Sequence, residues 1–465
     1  MRQLTAIDNQ FLDMEDARNV GHVGFLAFLD PSTAPGGTLD SGDLCRVVGE
    51  RLDLLPPFRW KLAPVPFNVD RPYWIEDPDF DLDFHIREIG LPAGGGERAL
   101  AEQVSRISSR ALDRARPLWE LYVIQNLPDG QIGLLTKMHH AAVDGVSGVE
   151  VLSVLFDDAP EGRELPPPAS RRPDPAPSDI ELFWRGVLKR PLQPLRAWQA
   201  ASRLMPRVGM TPPAPPVLPQ PDVLQRPMTP TPSTRFNDRI SGHRRYSFGQ
   251  LSLDEVKAVK NAFGVTVNDV VVALCAGALR EWLTERDELP KEPLVAMVPV
   301  SVREPEQMGT YGNRVSALFV PIPTDEPDAV ARLRRTHETL KGAKEFHRAV
   351  PAQALQEFAE FIPPAVSANA ARMALQLVDR RRPAINCVIS NVPGPQTPLY
   401  CAGARLNATY PVSVISDGMG LNITVMSYCG HLDFGIVVDR DHVDDAWPLM
   451  DGLRDALEIY KDAKP

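Results

Sequence analysis

Hydrophobic and polar positions follow two different periods in the first 160 residues, and each period predicts one kind of element. Short apolar runs at 24–29 and 133–138 predict strands. Helical spacing of apolar positions at 100–111 and 146–156 predicts helices. Because both kinds interleave, the pattern predicts an α/β or α+β class rather than an all-α or all-β one.

The same mixture returns from about residue 240 onward. Ser252, with Glu255 three positions later, predicts a helix start closed by a capping box. The apolar run 267–283 predicts a long helix of the kind that is buried between layers. Strands are predicted at 294–300, 315–320 and 421–428.

Proline separates these two blocks. Six prolines lie in 166–177 and ten in 206–232. Proline lacks the amide hydrogen that a packed helix or a central strand needs, so the second cluster is the natural connector. The prediction is an N-terminal domain at 1–205, a proline-rich linker at 206–239 and a C-terminal domain at 240–465.

A basic and aromatic segment at 182–207 lies between the proline clusters. Its tryptophans and leucines are interleaved with arginines and one lysine. Such a segment is able to lie in a lipid headgroup layer, at a membrane or a lipid droplet. Alternatively, it covers part of a domain while its arginines reach the solvent. Pro191 and Pro194 favour the second interpretation because they interrupt any long interfacial helix.

Length and composition narrow the class of protein. At 465 residues the chain is too long for one ordinary core. Its net charge of -10 argues against a nucleic-acid partner. The five cysteines contain no CxxC pair, which favours a reducing cytoplasm over a disulfide framework. No apolar stretch has the length of an export signal or a membrane span, so neither is expected.

One stretch carries the pattern HHxxxDG, formed by His139, His140, Asp144 and Gly145. It lies between an apolar run and the helix predicted at 146–156. Junctions of this kind hold functional side chains in position. A neutral imidazole accepts a proton near cellular pH, so His140 is a candidate general base. Asp144 would then orient the loop rather than touch the substrate.

A metal site and an ordinary strand end are the competing interpretations of the histidines. Adjacent side chains of an extended segment point to opposite sides, which makes His139 and His140 poor partners for one ion. The sequence also lacks the HExxH, CxxC, GxSxG, GxGxxG and GxxxxGK[ST] patterns. We therefore expect no metal and no cofactor. A base without a covalent nucleophile suits direct attack of one substrate on another.

Motifs along nearly the whole chain resemble those of a known family. HHxxxDG is typical of the CoA-dependent acyltransferase superfamily, which includes chloramphenicol acetyltransferase and the condensation domains of peptide synthetases. More narrowly, the chain resembles the bacterial wax ester synthase/diacylglycerol acyltransferase family. The motifs that carry this narrower resemblance are Leu4-Thr5-Ala6-Ile7-Asp8, His22-Val23-Gly24, Pro117-Leu118-Trp119-Glu120, Asn268-Asp269-Val270-Val271, Pro299-Val300-Ser301-Val302-Arg303 and Ser390-Asn391-Val392-Pro393-Gly394-Pro395.

This resemblance implies a fold and a reaction. The fold is α/β, with two chloramphenicol-acetyltransferase-like domains, each a mixed sheet flanked by helices, and a channel between them. The reaction is acyl transfer from acyl-CoA, a co-substrate, to diacylglycerol or a long-chain alcohol. Two alternatives remain open: another hydroxyl or amine acceptor, or an acyl-CoA- or lipid-binding protein without turnover.

The resemblance also implies roles for site residues. His140 is the base, whereas Asp144 is structural and Arg303 is its candidate partner. His139 either shapes the channel or shares the chemistry, and Gly145 permits a tight turn. The remaining pair, Asn268 and Asp269, either serves the acyl carbonyl and oxyanion or caps a helix.

Overall fold

Two six-stranded sheets form the framework of the chain, and a three-stranded sheet accompanies them. The computed structural model describes residues 1–142, 148–165, 177–189, 231–301, 315–349 and 383–463. Within these ranges strands and helices interleave in both halves, which confirms the predicted mixed class.

The elements are numbered in chain order over the described ranges. The strands are β1 Arg2–Gln3, β2 His22–Asp30, β3 Trp60–Ala63, β4 Tyr73–Glu76, β5 Ile86–Gly90, β6 Trp119–Gln125, β7 Ile132–His139, β8 Arg244–Ser252, β9 Leu294–Ser301, β10 Val315–Ile322, β11 Cys387–Val392, β12 Tyr400–Cys401, β13 Ala404–Val412, β14 Leu421–Tyr428 and β15 His431–Asp439. The helices are α1 Ala6–Met14, α2 Ser41–Arg51, α3 Leu82–His85, α4 Gly96–Ser108, α5 Gly148–Leu155, α6 Asp179–Lys189, α7 Leu253–Phe263, α8 Val267–Thr284, α9 Ala329–Ala349 and α10 Trp447–Asp462.

The N-terminal sheet has the strand order β12-β13-β2-β7-β6-β5. Strand β7 lies in its middle, antiparallel to β2 and β6, and all of its residues are buried. A continuous apolar run is expected for a strand that is covered on both faces. Leu134 and Met138 pack into the core on one face, and Leu135 packs into the core on the other. The histidine at the end of this strand is therefore held by a rigid element.

The C-terminal sheet has the order β10-β9-β11-β14-β15-β8. Its core contains helix α8, which is buried without a break from Asp269 to Leu279. The predicted helix at 267–283 and the predicted strand at 421–428 are thus confirmed. The helix begins at a capping box in which Thr266 and Asp269 bond each other's backbone N–H groups.

The C-terminal half completes the N-terminal sheet, which the sequence did not predict. Strand β13 pairs antiparallel with β2, and β12 follows at the edge. Where β13 passes over β15, the two backbones lie so close that a Cβ on Gly435 would meet the carbonyl oxygen of Pro411 at 1.8 Å. Asp433 of β15 accepts the backbone N–H of Thr409 at 2.6 Å in the same region. The C-terminal half is therefore joined to the N-terminal sheet by strand pairing, and the two sheets are in close contact where β13 crosses β15.

Two predicted details differ in the structure. The helix predicted at 100–111 is shifted and spans Gly96–Ser108, where the hydroxyls of Ser105 and Ser109 bond carbonyls one turn back. Such bonds compete with the helical pattern and suit a helix end. At the start of α7, Ser252 caps the helix as predicted, but the carboxylate of Glu255 pairs with Lys461 at 2.7 Å.

The end of the predicted linker is folded onto the C-terminal half. Asn237 is buried, and its amide donates to the carbonyl oxygens of Ile385 and Gly418 at 2.6 and 3.0 Å. Residues 206–230 lie outside the described residues. The division at 205 and 240 stays a prediction, and the sheet exchange shows that structural units and sequence halves do not coincide.

Candidate functional site

The histidine pair stands where β7 ends, as predicted for a strand-end junction. The backbone N–H of His139 donates to Leu118 O at 2.9 Å, and that of His140 donates to Gly21 O at 2.7 Å. The N–H of Ala142 donates back to His139 O at 2.8 Å, which forms a turn. Residues just before β2 and β6 thus fix the backbone of the pair from both sides.

The side chain of His139 is enclosed, with 1% of its surface exposed. Its Nδ1 accepts the backbone N–H of Ala141 at 3.1 Å, and its Nε2 lies 3.6 Å from Oε2 of Glu15. A Cβ on Gly21 would lie 3.0 Å from the same Nε2. Because both ring nitrogens face protein groups, this geometry favours a structural role for His139.

His140 has a different environment. It is half-buried, and its ring stacks on Phe11 of helix α1 with 4.0 Å between ring centroids and 16° between planes. The stack fixes the plane of the imidazole while leaving the ring edge, where the nitrogens lie, outside the stacking contact. A general base needs this combination of a fixed ring and a nitrogen at its edge.

Glu15 is a member of the site that the sequence did not reveal. This residue follows helix α1, and its carboxylate lies 3.5 Å from His22 Nε2 through one oxygen and 3.6 Å from His139 Nε2 through the other. Arg114 donates to the second oxygen at 2.7 Å through Nη2. Burial raises the pKa of Glu15, but the hydrogen bonds and charges of His139, Arg114 and His22 outweigh it and lower the pKa to about 2.

His22 is the second buried imidazole of the cluster. It stands opposite His139 in the β2–β7 pairing, with 6.0 Å between ring centroids. Burial, together with the charges of Lys137 and His139, lowers the pKa of His22 to about 3 against the opposing effect of Glu15. His22 is consequently neutral at cellular pH, so Glu15 is the anion of this cluster.

Asn268 and Asp269 lie at the start of α8, in the other half of the chain. Asp269 is buried, belongs to the capping box and accepts from His337 Nδ1 at 2.7 Å. Asp269 therefore caps the helix, which is one of the two roles considered for it from the sequence. Asn268 is only half-buried, and its Oδ1 accepts from Asn391 Nδ2 at 3.3 Å. This bond turns the amide N–H₂ of Asn268 away from Asn391 and brings two of the quoted motifs together.

Three predicted site residues, Asp144, Gly145 and Arg303, lie outside the described residues. The Asp144–Arg303 pair and the tight turn at Gly145 stay predictions.

A small apolar cavity adjoins the histidine turn. Met138 and Ala142, on either side of the pair, line it together with aromatic and aliphatic side chains, namely Pro57, Phe58, Leu118, Trp119 and Val151. Its volume of about 10 Å³ corresponds to one water-sized probe. The described residues thus provide an apolar wall beside the histidines rather than an open site for a long chain.

The described parts of the chain contain no group of three or more His, Cys, Asp or Glu side chains arranged to hold a metal ion. No helix there meets the length and hydropathy of a membrane span by itself. The pair Leu253–Phe263 and Val267–Thr284 meets them only jointly and is bent by 101°.

Two family models match the chain. One describes the wax ester synthase/diacylglycerol acyltransferase catalytic domain and matches residues 4–271, and the other describes the WS/DGAT C-terminal domain and matches residues 311–461. The chain belongs to the wax ester synthase/diacylglycerol acyltransferase family. The range matched by the catalytic-domain model includes Glu15, both histidines, Asn268 and Asp269. The candidate site residues at the end of β7 and at the start of α8 therefore lie within one matched domain.

Individual relatives agree with this assignment. A Mycobacterium tuberculosis protein named as a probable diacylglycerol O-acyltransferase, tgs2, is 36% identical, with 98% of each chain covered. The structure of a wax ester synthase/diacylglycerol acyltransferase from Marinobacter aquaeolei is 29% identical, with a TM-score of 0.71 and 99% of each chain covered.

A more distant structure shows the fold alone. The first condensation domain of the calcium-dependent antibiotic synthetase is 15% identical, with a TM-score of 0.57 and coverage of 100% of this chain and 98% of that one. Together with the wax ester synthase/diacylglycerol acyltransferase structure, this likeness confirms the predicted α/β two-domain fold.

Sequence reasoning missed Phe11, Glu15 and His22 as site residues, although His22 lies in a quoted motif. Their roles depend on α1 and β2 folding against the end of β7, more than a hundred residues away. No local pattern marks such a contact.

Proposed function

We propose that this chain transfers a fatty acyl group from acyl-CoA to the hydroxyl of diacylglycerol or of a long-chain alcohol. Its family, and the names of its mycobacterial and marine relatives, support this activity. The observation that carries the proposal is the half-buried imidazole of His140, stacked on Phe11 at the end of a central strand. We further propose that no cofactor takes part and that acyl-CoA is a co-substrate.

In the proposed reaction His140 takes the proton of the acceptor hydroxyl as its oxygen attacks the thioester carbonyl. The C–S bond then breaks, and the imidazolium returns the proton to the leaving CoA thiolate. One ester and one free thiol are formed, and His140 ends in its original state. The enclosed environment of His139 suits a part in holding the backbone of His140 rather than in moving this proton.

Developing charge on the carbonyl oxygen requires a donor that is in place beforehand. The amide of Asn268, oriented by Asn391, is our candidate for that donor. We propose Asp144 as a structural carboxylate paired with Arg303 and Gly145 as the residue of a tight turn, as the family resemblance implies.

A three-way assay tests the function. Thiol release from a long-chain acyl-CoA is followed with diacylglycerol, with a fatty alcohol and without an acceptor. The proposal expects release that depends on one of the two lipid acceptors. Release only with another hydroxyl or amine would support the other-acceptor alternative, and binding of acyl-CoA without release would support the non-catalytic one.

The proposed lipid acceptors are held in a membrane or a lipid droplet, and helix α6 offers a surface that could contact one. Its buried face, with Leu182 and Gly186, packs against residues around Val69 and Asp70, so the described part of this segment, residues 182–189, covers part of the N-terminal half. Its opposite face exposes apolar side chains at helical spacing. These are Ile180, Trp184 and Leu188, with 73%, 55% and 71% of their surfaces exposed.

Phe67, at a turn contacted by α6, extends the apolar face and is 88% exposed. We propose that this surface, Phe67 with Ile180, Trp184 and Leu188, rests on a membrane or lipid-droplet surface while the chain stays cytoplasmic. Sedimentation with phospholipid vesicles tests it with Trp184→Asp. Ile459→Asp is the matched control, because Ile459 is an exposed apolar residue on another helix. Equal vesicle binding by both variants and the wild type would contradict this surface.

A further inference from the structure

The carboxylate of Glu15 is nearly enclosed, with 6% of its side chain exposed, and both of its oxygens face donors. One oxygen accepts the backbone N–H of Gly21 at 3.4 Å, and the other accepts from Nε and Nη2 of Arg114 at 3.1 and 2.7 Å. An amide in this place would set its own N–H₂ group against a donor on one side. The site is therefore built for an ionised carboxylate.

The contacts of His139 indicate which of its ring nitrogens carries the proton. The N–H of Ala141 donates to Nδ1, so Nδ1 is the acceptor and the proton of the neutral ring lies on Nε2. That Nε2 faces Oε2 of Glu15. One ring nitrogen is hydrogen-bonded and the other faces the carboxylate at 3.6 Å, so the ring is positioned at the strand end from which His140 projects.

The segment around Glu15 also touches His140 directly. Phe11, one helical turn before Glu15, stacks on the imidazole, and Gly21, at the other end of the segment, accepts the N–H of His140. Gly21 in turn donates its own N–H to Glu15. Residues 11–21 thus surround the histidine pair on three sides.

The same segment is fastened to the C-terminal half of the chain. The N–H of Asp417 donates to Asn19 Oδ1 at 2.8 Å, and Nη2 of Arg244 donates to Arg18 O at 2.5 Å. The guanidinium of Arg18 lies 3.4 Å from Asp417. The segment that contacts the histidines is therefore hydrogen-bonded to the C-terminal half of the chain.

We propose that Glu15 is a positioning residue for the reaction: with residues 11–21 as its frame, it holds His139 in the Nε2–H tautomer and thereby places His140 toward the substrates. This inference rests on the proposed acyl transfer. It adds a residue that touches neither substrate and acts through the histidine pair.

Kinetics of Glu15→Gln test the inference. Because the substitution displaces the base and not the acyl-CoA site, kcat falls by about ten- to a hundredfold while KM for acyl-CoA changes less than about twofold. Glu15→Asp, which keeps the charge at a shorter reach, retains an intermediate kcat. Asp13→Asn, a carboxylate of the same helix that bonds Asn9, is the matched control and keeps the wild-type kcat. A folded Glu15→Gln variant with wild-type kcat overturns the proposal.

A second readout does not depend on activity. In protein labelled with ¹⁵N-histidine, the His139 signals, assigned by their loss in His139→Gln, show an Nε2–H tautomer in the wild type. An Nδ1–H tautomer overturns the proposal even if no acceptor in the three-way assay is acylated, so the two failures are distinguishable. If Glu15→Gln does not fold, Asn19→Ala takes its place: it loosens the segment from the other half, and a folded variant with unchanged kcat contradicts the inference.

Discussion

The end of β7 and the start of α8 contribute different kinds of side chain to one proposed reaction. At β7 the groups around His140 are ionisable, and Glu15, His22 and His139 face one another in a buried cluster. At α8 the half-buried group is a neutral amide, Asn268, bonded to a second amide. Proton transfer needs a group that changes charge, whereas stabilising a transient oxyanion needs a fixed dipole. In the proposed reaction, the end of β7 would supply the proton transfer and the start of α8 the donor to the oxyanion.

Removing the base has the largest expected effect. His140→Ala lowers kcat by about 10²–10⁴-fold because general base catalysis contributes that much, while the fold stays intact. The steady-state rate of thiol release measures it. His243→Ala, at an exposed histidine of the C-terminal half, is the control and keeps its activity. Near-normal turnover by His140→Ala would show that His140 is not the general base.

The α8 side is tested by separating two adjacent residues. Asn268→Ala lowers kcat by about 10²-fold if its amide stabilises the oxyanion. Asp269→Ala instead destabilises the fold by about 1 kcal/mol or more, since it removes a cap and the partner of His337, while kcat per folded molecule stays unchanged. Urea unfolding and single-point kinetics on both variants measure the difference. Loss of stability without loss of kcat in Asn268→Ala would show that Asn268 has a structural role and does not stabilise the oxyanion.

The junction of the two sheets is tested at Gly435. A Cβ there meets Pro411 O at 1.8 Å, so Gly435→Ala forces the sheets apart and costs about 3 kcal/mol of unfolding free energy. Gly342→Ala, on an exposed helical turn with nothing within 4 Å of the new Cβ, is the control and is neutral or stabilising. Equal unfolding midpoints for the two variants would mean that the halves do not depend on this contact.

The last comparison concerns pH dependence, where the junction of the sheets and the end of β7 differ in sign. Burial raises the pKa of Asp433, between the sheets, from 3.8 to about 7, against the bonds from Thr409 and Gln250. The folded state holds this proton longer than the unfolded one, so Asp433 costs stability progressively as pH rises from about 4 to 7. His22, with its pKa lowered to about 3, acts oppositely and costs stability as pH falls below about 6.5.

Thermal unfolding of Asp433→Asn and wild type between pH 4 and 8 separates the two contributions. The difference in stability between these proteins changes up to about pH 7 and is constant above it. A difference that does not vary with pH would show that Asp433 titrates normally.

Local patterns predicted the elements well because their causes are local. The apolar runs that became β2, β7 and β14 owe their form to burial on both faces, and the long helix α8 owes its form to a continuous apolar stretch behind a Thr266–Asp269 cap. The predicted end of α4 and the predicted partner of Glu255 were wrong. There, serine hydroxyls and the distant Lys461 decided the outcome.

The sequence indicated only part of the candidate site, because the remaining contacts are made between residues far apart in the chain. HHxxxDG marks the histidines, but Glu15 and Phe11 reach them through the fold of α1, and Asn268 meets Asn391 only after β11 has joined the sheet. The exchange of β13 into the N-terminal sheet was likewise invisible, since a strand carries no signal for which sheet it joins.

Product stoichiometry is the measurement closest to the central claim. Wild-type protein is incubated with a labelled long-chain acyl-CoA and an acceptor, and free CoA, new ester and free fatty acid are quantified together. We predict one triacylglycerol or wax ester for each CoA released, with both products lost in His140→Ala. Equal amounts of CoA and free fatty acid, or ester formation that persists without His140, would contradict it.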